Sequence, residues 1–160
     1  MEGHMPEITL TQADEMVDWA LARARELDLR PISCCVTNSN TALKVFKAQE
    51  ETPLLRYELC WGKAYAALAL GRSTSLIRAR AEDRPLFQDY LTSQSNGKLF
   101  AEKGGMLIRD DIGTIVGALA VTGATADQDE ELAAEAIRAC GFKTDDDVVD
   151  IVRNARVTRD

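Results

Sequence analysis

The stretch "TIVGALAVTG" (Thr114–Gly123) restricts the fold more than any other part of the chain. Ile115, Gly117, Leu119 and Val121 alternate with Val116, Ala118 and Ala120, so a strand built from it is apolar on both faces. Such a strand belongs in the middle of a sheet that is covered on both sides. "MLIRDD" precedes it and Asp110–Gly113 supplies a turn, which predicts a hairpin over residues 106–123.

Covering helices are signalled on either side in sequence. Thr125 and Gln128 form a capping box ahead of Leu132, Ala133, Ala136, Ile137 and Cys140, one apolar stripe at helical spacing. Thr11 and Asp14 open a first helix carrying Ala13, Met16, Val17, Ala20, Ala24 and Leu27. "ISCCVTN" (Ile32–Asn38) then reads as a strand, with Ile32, Cys34 and Val36 on one face and Ser33, Cys35 and Thr37 on the other. A turn through "SNT" leads into a second strand near residues 42–47. A helix from about Leu55 to Leu70 stops at Gly71, Ser73 or Thr74 caps a short successor, and Pro85 interrupts the segment after it. Residues 92–105 are a turn-rich connector. The order helix, hairpin, helices, hairpin, helix predicts an α+β domain around a mainly antiparallel sheet.

One domain is expected over residues 6–160, with residues 1–5 set aside because "GHM" (Gly3–Met5) reads as a cloning remnant. His4, the only histidine, falls in that remnant. A net charge of −7 disfavours nucleic acid and anionic membrane as partners. The longest apolar runs, Ala64–Leu70 and Ile115–Val121, are too short to span a bilayer, and the expected location is the cytoplasm. Cys34, Cys35, Cys60 and Cys140 show no C-x-x-C spacing and have no histidine partners, so they read as reduced thiols and no metal site is expected. The acidic runs Asp110–Asp111, Asp127–Glu131 and Asp145–Asp147 read as solvated turns and helix starts.

The helix near Leu55–Leu70 contains the chain's most pointed residue. Lys63 stands among Cys60, Ala64, Ala67, Leu68 and Gly71 on one face and Trp61 and Tyr65 on the neighbouring one. If its ammonium is desolvated there, it becomes a better base or nucleophile. If not, its stem covers apolar groups while its head reaches water or Glu58. An unpartnered desolvated ammonium is a cost, so on the first explanation Lys63→Met should fold at least as well as wild type.

"GKAYAALALGRST" and "GGMLIRDDIGTIVGALAVTGATADQDEELAAEAI" resemble the GlcG/HbpS-like family, which includes the C-terminal domain of PduO-type proteins. The matching residues are Lys63, Ala64 and Ala67, then Gly104 and Gly105, then Val121, Thr122 and Gly123, then Asp129 and Ala133. The first hairpin departs from the family pattern, with Val36, Thr37 and Asn38 where V-V-D is usual, and "FKAQEE" replaces R-M-D-G-A. Glu58 stands for the family's aspartate and Ala66 for its threonine. The resemblance implies a profilin- or PAS-like sandwich with a five-stranded antiparallel sheet, usually oligomeric, and links to haem or corrinoid binding or to small-molecule chemistry.

The function expected from these observations is cofactor-independent acid–base chemistry, of isomerase or lyase type, on a small organic acid or enolisable compound. Lys63 would serve as base or charge stabiliser, Glu58 would tune it and Tyr65 would donate a proton. Trp61, Asn38, Gly104, Gly105, Thr122 and Gly123 would bind the ligand. No cofactor is expected, and the partners are a small molecule and further copies of the chain in a homo-oligomer. One alternative is a haem or tetrapyrrole-binding protein, implied by the resemblance but short of a histidine ligand. The other is a non-catalytic oligomeric partner protein.

Overall fold

The computed structural model describes residues 7–151. The supposed remnant at residues 1–5, His4 included, lies outside the described residues. Helix α1 (Leu10–Glu26) leads to the hairpin of β1 (Ser33–Asn38) and β2 (Leu43–Ala48). Three helices follow, α2 (Arg56–Leu70), α3 (Thr74–Asp83) and α4 (Pro85–Gln94). A second hairpin, β3 (Gly105–Arg109) and β4 (Ile115–Thr122), precedes α5 (Ala126–Ala139) and a 3-10 turn at Asp146–Val148.

The four strands form one antiparallel sheet in the order β2-β1-β4-β3. The doubly apolar strand β4 is central, paired with β1 through Leu119↔Val36 and with β3 through Leu119↔Met106. The expected fifth strand does not form among the described residues. At the outer edge of β3 only Lys143 pairs, exchanging both backbone hydrogen bonds with Arg109. Thr144 is then drawn into the next turn by the Asp147 carboxylate, which accepts from its N–H and hydroxyl, so the pairing goes no further.

The two faces of the sheet are packed differently. Toward α1 and α5 the strands present Ile32, Cys34, Val36, Met106, Ile108, Leu119 and Val121. Toward α2 they present Cys35, Ala118 and Ala120, which meet Cys60 and Ala64. Small residues on both sides let the α2 backbone come almost into contact with the sheet. A Cβ on Gly105 would stand 2.6 Å from the Lys63 carbonyl oxygen.

Local signals mostly survive, with one shift. The first helix is capped by Thr9 and Gln12 rather than Thr11 and Asp14. Pro85 does interrupt the helical run, with α3 ending at Asp83, and it also begins α4, because its missing N–H is no loss at the first helical position. Among the described residues no helix is long and apolar enough to cross a membrane.

Gly105→Ala tests the tight contact. Its Cβ meets backbone atoms that cannot swing aside, so the substitution should destabilise the protein by about 2–3 kcal/mol, as overpacking does. Urea unfolding of this variant beside wild type measures it.

Candidate functional site

Lys63, midway along α2, is 2% exposed. An ammonium this deep needs acceptors. It donates to the Val121 carbonyl at 2.9 Å and to Asp129 Oδ2 at 3.4 Å. Val121 is near the end of β4 and Asp129 is in the first turn of α5, so one side chain ties three elements together. Gly104 leaves the space, since a Cβ there would fall 3.0 Å from Lys63 Nζ and 2.5 Å from the Val121 oxygen.

Asp129 is 3% exposed, and its Oδ1 accepts from the Ala124 N–H at 3.0 Å. Burial pushes its carboxyl above the ordinary range, against the opposing pull of Lys63 and the Ala124 and Gly123 amides. The partner of Lys63 is therefore Asp129 and not Glu58, which is exposed on the first turn of α2. Asp129 also departs from the expectation that residues 127–131 are a solvated helix start. The capping box at Thr125 sets the phase of α5 and turns Asp129 inward with Leu132 and Ala133.

Lys63 and Asp129 border a recess of about 320 Å³, with Arg30 and Arg56 at its polar side and Leu59 and Phe100 as apolar walls. Thr122 and Gly123 line it as well. Gly104 abuts Lys63 Nζ, and Gly105 lies beneath the Lys63 carbonyl. The structure thus brings together Lys63, Gly104, Gly105, Thr122 and Gly123. A wider groove of about 450 Å³ between α1 and α5 is bordered by Arg23, Glu26 and Glu135, whose charges already pair with one another.

Four of the expected residues lie elsewhere. Trp61 and Tyr65 are two positions either side of Lys63, about 200° around the helix. They stack on each other with centroids 5.1 Å apart, and Trp61 Nε1 donates to the Thr41 carbonyl at 3.0 Å. Tyr65 packs against Ala66, Ile77 and Leu99. Asn38 Oδ1 accepts from the Asn40 and Ala42 N–H groups and so shapes the β1–β2 turn. Neither these three nor Glu58 lines the recess. Sequence reasoning missed Arg30, Arg56 and Phe100, which no motif marks.

A family model described as haem degrading protein HbpS-like matches residues 8–138. Among solved structures, a PduOC–haem complex is 24% identical with a TM-score of 0.76, covering 86% of this chain and 98% of that one. The Klebsiella pneumoniae protein ORFY is 21% identical with a TM-score of 0.75, covering 88% and 94%. A double mutant of Streptomyces reticuli HbpS is 22% identical with a TM-score of 0.74, covering 87% and 90%. No curated protein matches.

The family description and the haem complex overturn the expectation of no cofactor. That expectation rested on the missing histidine, which bears on the iron alone and not on the tetrapyrrole's faces or carboxylates. The recess makes the same distinction. Its two guanidiniums suit propionates, but among the described residues it offers no histidine, cysteine, methionine or tyrosine to an iron, and its lysine is held by Val121 and Asp129. Cys34 and Cys60 are buried, and burial raises both thiols well above their ordinary range. The donor set fits the carboxylate edge of haem and not its metal.

Lys63→Met should now destabilise rather than spare the fold, because Asp129 and the Val121 carbonyl lose their buried partner. The expected cost is about 3 kcal/mol at neutral pH. A carboxyl whose folded pKa is raised contributes stability in its protonated form and loses it as pH climbs through that pKa. Without the lysine that penalty grows, so the variant should be closer to wild type at pH 5 than at pH 7, and adding Asp129→Asn should restore part of the loss. Urea unfolding at both pH values checks the sign.

Proposed function

We propose that this chain, which belongs to the HbpS-like family, is a tetrapyrrole-binding protein, acting in the cytoplasm as a single domain over residues 6–160. What carries the proposal is the family match over residues 8–138, joined to a fold shared with PduOC, whose structure is a haem complex. The recess adds support. It is at the small end of ligand pockets, large enough to seat one edge of a flat macrocycle between Leu59 and Phe100. In this proposal Gly104, Gly105, Thr122 and Gly123 shape the inner wall, and Lys63 supplies positive charge.

A second reading is favoured by one observation. The recess has room for a small organic acid, and a buried ammonium lines it beside a carboxyl of raised pKa. On this reading the chain is an acid–base enzyme of isomerase or lyase type. Lys63 stabilises developing negative charge, and Asp129 is the group placed to exchange a proton.

Titration with haemin tests the proposal. A saturable Soret change with micromolar affinity and without a stable six-coordinate spectrum is expected. Absence of any saturable change across the micromolar range would remove haem as the ligand and leave the acid–base enzyme as the stronger case.

We also propose self-association. Helix α4 has no buried residue, and Leu86, Phe87 and Tyr90 on it are exposed. Apolar groups gathered on one helix suit a contact between copies. Light scattering should give at least twice the monomer mass, and a steady monomer across the micromolar range would contradict it.

A further inference from the structure

Among the described residues Arg25, Arg30, Arg80 and Arg84 are exposed, and Arg72 donates to the Leu70 carbonyl. Arg23, Arg78, Arg109 and Arg138 each hold a carboxylate. Arg56, half-buried at the start of α2, has no ion pair and no hydrogen-bond acceptor for its guanidinium among the described residues. It is nevertheless closely seated. A Cβ on Gly123 would stand 2.9 Å from Arg56 Nη1 and 2.4 Å from the Pro31 carbonyl oxygen, and the φ of +135° at Gly123 suits glycine. A partly desolvated guanidinium packed against backbone without an acceptor is a cost that a bound anion removes.

The surroundings give that anion its character. The protein carries a net charge of −7, yet Arg30, Arg56 and Lys63 converge on this one recess. Val121 and Asp129 accept from Lys63, which accounts for two of its three N–H donors. Thr122 lines the recess and its hydroxyl makes no hydrogen bond among the described residues. Directly across the sheet from Thr122, on the same face, Ser33 Oγ is a buried polar atom with no partner among the described residues. Asp129 and Glu102 also border the recess, and Glu102 is already paired with Arg78. Two carboxyl groups lining the recess disfavour a doubly charged phosphate. A planar, singly charged carboxylate matches a guanidinium fork and adds little repulsion.

We propose that Arg56, supported by Arg30, is the carboxylate anchor of this recess and orients a carboxylate-bearing ligand with its apolar part against Leu59 and Phe100. The proposal rests on the ligand-binding role given above to the same site. The carboxylate can be the propionate of a tetrapyrrole or that of a small organic acid, and the chemistry recognised is the same.

The test uses Arg56→Gln, Arg30→Gln and Arg56→Lys, each first shown by circular dichroism to melt like wild type. Haemin, protoporphyrin IX and haemin dimethyl ester are titrated by absorbance and fluorescence quenching. Succinate and inorganic phosphate are followed by amide chemical shifts. Arg56→Gln should weaken haemin and protoporphyrin IX alike by about tenfold or more, with Arg56→Lys between it and wild type. The dimethyl ester should bind wild type and Arg56→Gln with the same low affinity, and phosphate should not compete. If Arg56→Gln keeps wild-type affinity for both acids, or the ester binds as tightly as haemin, the anchor is overturned while tetrapyrrole binding stands. If wild type takes no tetrapyrrole, that ligand class fails, and succinate decides the anchor. Shifts around Arg56 that vanish in Arg56→Gln support it, and no shifts in wild type overturn it.

Discussion

One buried ammonium determines how the layers meet. Lys63 starts on α2, passes the glycine at position 104, and ends at the close of strand β4 and the first turn of α5. Burying a charge this completely is tolerable only if its donors are met. A neutral carbonyl at 2.9 Å and a carboxylate at 3.4 Å meet two of them. The carbonyl belongs to the strand that both sheet faces depend on, so the position of α2 is fixed to the core. A residue that looks misplaced in an apolar helix is therefore the joint between helix and sheet.

The joint works because the two sheet faces differ in side-chain size. Branched and long residues fill the space beneath α1 and α5. On the other face cysteine and alanine hold α2 close, so that the Lys63 stem needs only its own length to reach β4. Bulk at Gly105 or Gly104 would push α2 outward and pull the ammonium away from its acceptors. The close packing and the buried ion pair support each other, and neither is explained without the other.

Much of this was legible in the residues. Alternation in Ile115–Thr122 announced a central strand, and the Thr125–Gln128 box announced α5. Gly71 ended α2 as expected, in a left-handed conformation. The expected start of the first helix falls two residues late because "TLTQAD" contains two cap patterns, and Thr9–Gln12 is the one whose third residue reaches back to the N-cap amide. The ion pair was harder. Lys63 and Asp129 are far apart in sequence, and an acidic run at a helix start ordinarily faces water. Glu58, close along the chain, was the natural partner to expect, but Lys63 points into the sheet while Glu58 stays in solvent. Arg30 and Arg56 carried no local signal, since their convergence is produced by the turn at Gly123.

The same joint limits what chemistry position 63 can offer. Taking the proton from Lys63 would leave the buried Asp129 without its counter-charge. A base there would loosen the contact that places it. Positive charge, by contrast, is available without disturbing anything, because two donors hold the fold while one is left over. The recess then gathers Arg30, Arg56 and Lys63 in a protein otherwise rich in negative charge. On the proposed reading that arrangement suits a carboxylate, whether or not the rest of the ligand carries a metal.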